Sequence, residues 1–147
     1  MAIVLLDCED APNGADVVGK INELCDDSNM ADLAWTDIDE ITNFSDASAV
    51  GYAQYTKRGK VVYLRGLVVA SATSSGFPQF ATLPVGYRPP ATVRFVCTGY
   101  DDSGAVATVG RVSIQSTGEC YIQHLNGSPS IENNDFFSLD GLFFFTE

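Results

Sequence analysis

The sequence predicts an all-β fold, an antiparallel β-sandwich of jelly-roll type, led by a short acidic segment that contains one helix. Three observations carry that reading. From Tyr52 onward, runs rich in Val, Ile, Tyr, Phe and Thr are broken at about every 10 residues by Gly, Pro, Ser or Asn clusters, the pattern of short strands and turns. Val112 and Ile114 alternate with polar neighbours, and Cys120 and Ile122 match them across Ser116-Thr117-Gly118, as in a half-buried hairpin. The third observation is charge. Residues 1–50 carry twelve Asp or Glu against Lys20, a net −11, whereas residues 51–147 balance seven acids with seven basic residues. The chain therefore divides into an acidic attachment or oligomerisation segment, 1–34, and a β-sandwich domain, 35–147.

The leader is read first. Ile3 to Leu6 is a short apolar run, and Ala11-Pro12-Asn13-Gly14 is a turn. From Asp16, Val17 or Val18, Ile21, Leu24 and Cys25 recur three and four apart, which predicts a helix over roughly residues 14–26. Asp16 near its start interacts favourably with the helix dipole, and Asp26-Asp27 do the reverse, so the helix stops there. About three turns are marginal alone in water, so the Val17, Val18, Ile21 and Leu24 face must pack on its own body or on other copies. Between Asp32 and Asp46 neither period fits, which suggests a wrapping segment with one or two short strands. Trp35, the sole Trp, reads as a core or subunit-interface anchor.

In the body, Tyr52–Thr56 and Val61–Val69 are two strands joined by the basic, Gly-bearing turn Lys57-Arg58-Gly59-Lys60. The second strand is apolar on both faces, which calls for another layer or another subunit. Gly66 within it predicts a bulge or a close backbone approach. Ser71–Gly76 is a polar loop tip and Phe77–Leu83 a short strand. Pro84, Pro89 and Pro90 stiffen the following segment, which should cross from one sheet to the other. Ala91–Thr98 is a strand, Gly99–Gly104 a turn, and Ala105–Gln115 one long or two broken strands. After the hairpin, Asn126–Asn134 is a polar loop. Phe143-Phe144-Phe145 reads as a terminal strand buried on both faces.

Several chemistries are excluded. No apolar run approaches the roughly 18 residues that cross a bilayer, and no basic n-region opens a secretory signal. A net charge of −11 argues against nucleic acid and anionic membranes as partners. Cys8, Cys25, Cys97 and Cys120 form no CxxC pair, and His124 stands alone, so neither a metal nor a cofactor is expected. Cys97 and Cys120 read as buried thiols, with pairing left open. No phosphate-binding or nucleophile-elbow motif occurs. A glycosidase needs two carboxylates flanking a cleft, and Asp101, Asp102 and Glu119 fall at turns. No catalytic residue is assigned.

Tyr63-Leu64-Arg65-Gly66, a Ser/Thr/Gly loop, and then Leu83-Pro84-Val85-Gly86-Tyr87-Arg88-Pro89 together resemble the C-terminal head of bacteriophage tail-fibre and receptor-binding proteins. Their Leu-Pro-x-Gly-Tyr-Arg-Pro phrase is the most specific part. Gly51–Lys60 and Val112-Ser113-Ile114 before Ser116-Thr117-Gly118 add to a likeness over residues 35–147. The resemblance implies a trimeric β-sandwich head on a virion that contacts host surface polysaccharide, with Tyr100 and Tyr121 as glycan-contact candidates. The leader would hold other virion proteins. About 34 residues stand where those proteins carry a long shaft or shoulder. A capsid decoration or accessory tail protein is the alternative; a cellular carbohydrate-binding module would need an exposed Trp or a Tyr platform.

Overall fold

Alternating burial turns most of the body into strand. A computed structural model describes residues 34–39, 43–46, 52–125 and 127–146, all within the unit Ala34–Glu147. The predicted leader helix and its Val17, Val18, Ile21 and Leu24 face lie outside the described residues. Thirteen strands follow in order: β1 Thr36–Asp37, β2 Phe44–Asp46, β3 Gln54–Arg58, β4 Val61–Arg65, β5 Leu67–Ala70, β6 Ser74–Ser75 and β7 Gln79–Thr82. The second half adds β8 Val93–Asp101, β9 Val106–Ile114, β10 Glu119–His124, β11 Ser130–Ile131, β12 Phe136–Ser138 and β13 Phe143–Phe145.

These build a sheet of four, ordered β1-β3-β4-β13, and a sheet of seven, ordered β2-β5-β12-β8-β9-β10-β7. A small β6-β11 pair stands beside them. Every pairing is antiparallel. The architecture is the expected jelly-roll-like sandwich, with more and shorter strands than the sequence reading supposed. Its core takes Val62, Leu64 and Phe144 from the four-stranded sheet. From the larger sheet it takes Val68, Phe80, Val112, Ile114, Ile122 and Phe137. Burying a side chain of this kind contributes about 1.5–3 kcal/mol.

The run 61–69 is not one strand. Gly66 has φ +87° and divides it, so β4 belongs to one sheet and β5 to the other. A Cβ at Gly66 would lie 1.7 Å from the Tyr52 carbonyl oxygen, so only glycine fits. The anticipated close backbone approach is therefore real, and it makes a corner. The chain's end turns the same corner. β12 pairs with β5 and β13 with β4, while residues 139–141 oppose only residues 65 and 66. One extra residue on one strand bends a ribbon. Gly66 N donates to Asp140 Oδ1 at 2.8 Å, and Leu139 N to Gly66 O at 2.8 Å.

Four other expectations change. First, the terminal strand is not buried on both faces: Phe144 is buried, but Phe143 and Phe145 are 52% and 62% exposed, because alternate residues of β13 point away from the core. Second, the proline-rich segment does not connect the two sheets. It joins β7 to β8 of the same sheet and runs past β3, where Tyr87 packs edge-on to Tyr55 and Gly86 O accepts from Lys57 Nζ. Third, Gly99 to Asp101 lie in β8, not in a turn, and β9 is unbroken through Gly110. The turn is tighter, with Ala105 N donating to Asp102 O. Fourth, β6 and β11 form from residues read as loop, and β12 from residues to which no element was assigned. Trp35, read as a core or subunit-interface anchor, sits half-buried outside the core cluster, with the Arg65 guanidinium over its ring at 4.0 Å.

Replacing Gly66 by Ala is expected to cost about 3 kcal/mol or more, since it combines a backbone clash with a left-handed φ. Urea denaturation of the variant measures this; a loss below 1 kcal/mol would refute the corner.

Candidate binding cleft

The pleat sends Arg94, Val96, Thr98 and Tyr100 of β8 away from the core, and the register continues that outer face across the sheet. Arg94 stands opposite Ser113 and Ser113 opposite Tyr121; in the next row Val96, Arg111 and Gln123 align. Phe77, just before β7, rises beside them, with the Arg111 guanidinium 5.2 Å from its ring centroid. Phe77, Thr92, Arg94, Arg111, Ser113, Gln115 and Tyr121 line an open cleft of about 510 Å³. Two guanidinium groups, two aromatic rings and several amide or hydroxyl groups suit a polar, ring-bearing ligand. The Tyr121 phenol is held above its ordinary value, first by loss of solvent and then by the Glu119 carboxylate. It therefore stays protonated and able to donate at neutral pH.

A smaller cleft of about 380 Å³ lies at Lys57, Arg88, Pro89, Pro90 and Ser116. Its cations already serve the fold: Lys57 Nζ donates to Gly86 O at 2.7 Å and Arg88 Nε to Leu83 O at 2.9 Å. The larger cleft has no such internal use of Arg94 or Arg111.

His124, Asp135 and Thr108 form a buried line. His124 Nε2 is 2.8 Å from Asp135 Oδ2, and His124 Nδ1 is 3.4 Å from Thr108 Oγ1. The order hydroxyl, imidazole, carboxylate is that of an activated nucleophile. Here it is sealed: the three residues are 3%, 0% and 8% exposed, in the order His124, Asp135, Thr108, and none lines a cleft described above. Asp135 is instead a hub. Its carboxylate also accepts from Asp102 N at 2.9 Å and Glu132 N at 2.8 Å, and its carbonyl accepts from Ala70 N. The satisfied carboxylate thus ties the β8–β9 turn, β10 and the 132–135 loop together, and the Asp135 carbonyl adds β5. Among the described residues no group of three or more His, Cys, Asp or Glu is placed to hold a metal ion. Cys97 and Cys120 are free and buried, and burial pushes their thiols to about 11 and about 12.

Of the residues singled out beforehand, Tyr121 lines the cleft and Tyr100 does not. Both occupy the same outer face, but six residues of β8 separate the Tyr100 row from the Arg94 row, about 20 Å. One face of Tyr100 is covered by Phe136, stacked at 5.3 Å and 14°. Phe77, Arg94 and Arg111 were missed. Their signal was available in part: if Val112 and Ile114 face inward, Arg111 and Ser113 must face outward. That β8 would lay Arg94 alongside is a matter of register, which no local pattern records.

No protein-family model matches the chain, and no curated protein does. Two solved structures share its fold. The receptor-binding protein of Listeria phage PSA is 20% identical, with a TM-score of 0.60 over 98% of this chain and 82% of that one. The head domain of lactococcal phage bIL170, described in connection with a common fold for receptor-binding domains of lactococcal phages, is 17% identical. It matches with a TM-score of 0.55 over 79% of this chain and 100% of its own. The fold is thus that of phage receptor-binding heads.

Two outcomes follow from the hub and its turn. Asp135→Ala leaves His124 and two backbone amides buried without their acceptor, and should cost about 3–5 kcal/mol in urea denaturation; a near-neutral effect would show the hub to be ornamental. Asp101 Oδ1 accepts from Ser103 Oγ and Gly104 N, which hold its carboxyl below the ordinary 3.8. A lowered carboxylate stabilises above its unfolded value and loses that contribution as pH falls through the folded one. Hydrogen-exchange protection of the Gly104 amide should therefore fall on acidification, below pH 3.8, and Asp101→Ala should abolish that pH dependence.

Proposed function

We propose that this protein is a non-enzymatic phage virion protein, a tail-fibre or receptor-binding head that contacts glycan on the host surface. The observation that carries this reading is the outward cleft at Phe77, Arg94, Arg111 and Tyr121 on a fold shared with two phage receptor-binding structures. Tyr121 supplies a sugar-facing phenol; Tyr100 is a second contact further along the same face. A chain of several sugars would be needed to touch both.

Weak saccharide contacts gain from repetition, with avidity rising by roughly 10²–10⁴, and self-association as a homotrimer supplies it. The exposed Phe143 and Phe145 lie on an outer strand, next to an apolar groove of about 330 Å³ lined by Pro90, Ala91, Val93 and Phe95. An exposed apolar edge invites another chain, and a second copy covers it. The leader, through Val17, Val18, Ile21 and Leu24, attaches the head to the virion or to its neighbours, and Trp35 at the start of the domain extends that contact. A capsid decoration or accessory tail role uses the same fold without a receptor. A monomeric carbohydrate-binding module, which needs an exposed Trp or a paired Tyr platform, is less well served: Trp35 is capped by Arg65, and Tyr100 and Tyr121 stand in rows about 20 Å apart.

Labelled protein should bind whole bacterial host cells, and polysaccharide released from those cells should compete. Tyr121→Ala should weaken binding about tenfold, the usual scale for an aromatic anchor. Light scattering should give a mass three times 15.8 kDa. A trimer that ignores every host cell would favour decoration, and a monomer that binds free sugar would favour the module.

A further inference from the structure

The body's neutrality is the sum of two charged ends. Asp101, Asp102, Glu132 and Asp135 gather where the β8–β9 turn meets the 132–135 loop. At the other end of β8 and β9, Lys57 and Arg88 share a cleft with Ser116 and with Thr146, the residue after β13. Arg58 and Lys60 flank the Gly59 turn beside them. Lys57 and Arg88 each donate to one carbonyl of the fold. Glu119, at the β9–β10 turn, accepts from Thr117 Oγ1. Among the described residues no cation at this end makes an ion pair.

β13 ends beside these cations, and it is the last strand of its sheet. Leu64 N donates to Leu142 O and Thr146 N to Lys60 O. Residues 142, 144 and 146 therefore face β4, and the N–H and C=O groups of Phe143 and Phe145 turn to the free edge. The apolar groove at Pro90, Ala91, Val93 and Phe95 lies beside that edge. On the outer face stand the exposed Phe143 and Phe145 rings, with Tyr63 6.2 Å from Phe143. A strand laid along the edge meets apolar surface on both of its faces. Such a strand cannot alternate between apolar and polar residues. Ile3-Val4-Leu5-Leu6 is apolar at four consecutive positions, and Asp7, Glu9 and Asp10 follow it.

We propose that residues 3–6 of a neighbouring copy add a strand to β13, and that Asp7, Glu9 and Asp10 of that copy close against the basic end. Charge sets the direction. β13 runs toward Lys60, so a parallel guest delivers its acids to Lys57, Arg58, Lys60 and Arg88, and an antiparallel guest carries them away. The guest pairs the open edge groups, fills the groove with one face and covers Phe143 and Phe145 with the other. Residues 1–50 bring a net −11 per copy, and the basic end offsets part of it. β1 and β13 are opposite edges of the sheet, about 14 Å apart, so the donor is assigned to the next copy, by exchange of an identical element. The inference deepens the self-association reading and rests on it, naming the segment with which a second copy covers β13.

Hydrogen exchange on the full chain, followed together with its mass in solution, tests the strand. In the associated protein the amides of Phe143 and Phe145 should exchange about tenfold or more slowly than after dilution to monomer. Val4→Pro, which removes an amide donor from the run, should free both amides and weaken association about tenfold or more, with the melting of the head unchanged. Arg58→Glu with Lys60→Glu should weaken association by a similar factor, and adding Asp7→Lys with Glu9→Lys should restore it. A copy with Val4→Pro still offers β13, and a copy with Phe145→Asp still offers its leader. Neither should self-associate at a concentration where the parent does, and their mixture should form pairs. Fast exchange of both amides in a stable trimer would overturn the strand and leave self-association standing. Protection that persists in the monomer would assign the strand to the chain's own leader and overturn the exchange between copies. A monomer at every concentration, with both amides exchanging freely, would remove the self-association reading as well.

Discussion

One bent ribbon holds the two sheets together. Residues 61–70 and 135–145 run antiparallel along their whole length, and both turn the corner at Gly66 and Asp140. On one side of the corner the ribbon is β4 with β13; on the other it is β5 with β12. Glycine permits the bend through its positive φ, and the Tyr52 carbonyl occupies the space a side chain would need there. Without it, 61–70 would continue as one strand, and its two apolar faces would have no sandwich to close. Core and outer faces both inherit their registers from this ribbon.

The same logic of close approach recurs in the larger sheet. Phe137 of β12 lies over β8 and β9 where Gly99 and Gly110 leave room; Cβ atoms there would sit 2.7 Å and 2.4 Å from its ring. An aromatic fitted onto backbone is tightly constrained. Beyond it the buried Asp135 takes the amides of Asp102 and Glu132 and the imidazole of His124. A buried carboxylate is tolerable only when its lone pairs are used in this way.

Much of the fold was legible. The 112–114 and 120–122 alternation named the correct inward residues, and Gly59 marked a true hairpin turn between β3 and β4. Gly66 was recognised as special. What escaped notice was nonlocal. Ser130-Ile131 and Phe136–Ser138 carry too few residues for a period to show, and they become strands only because β6, β5 and β8 lie ready to pair. Asp135 carries no local mark of its role; its burial depends on residues 33 and 65 positions away in the chain.

Composition and pattern alone determined the fold class, the acidic leader and the neutral body, because alternation and charge are properties of neighbours in sequence. For the 112–114 and 120–122 hairpin they also set which residues face in. Tertiary structure decided where the chain changes sheet, that Phe143 and Phe145 stand exposed on an outer strand, and that Arg94 meets Arg111 beside Tyr121. Those outcomes turn on register and sheet order. A shift of one residue exchanges the faces of a strand, and only the packed whole selects the register.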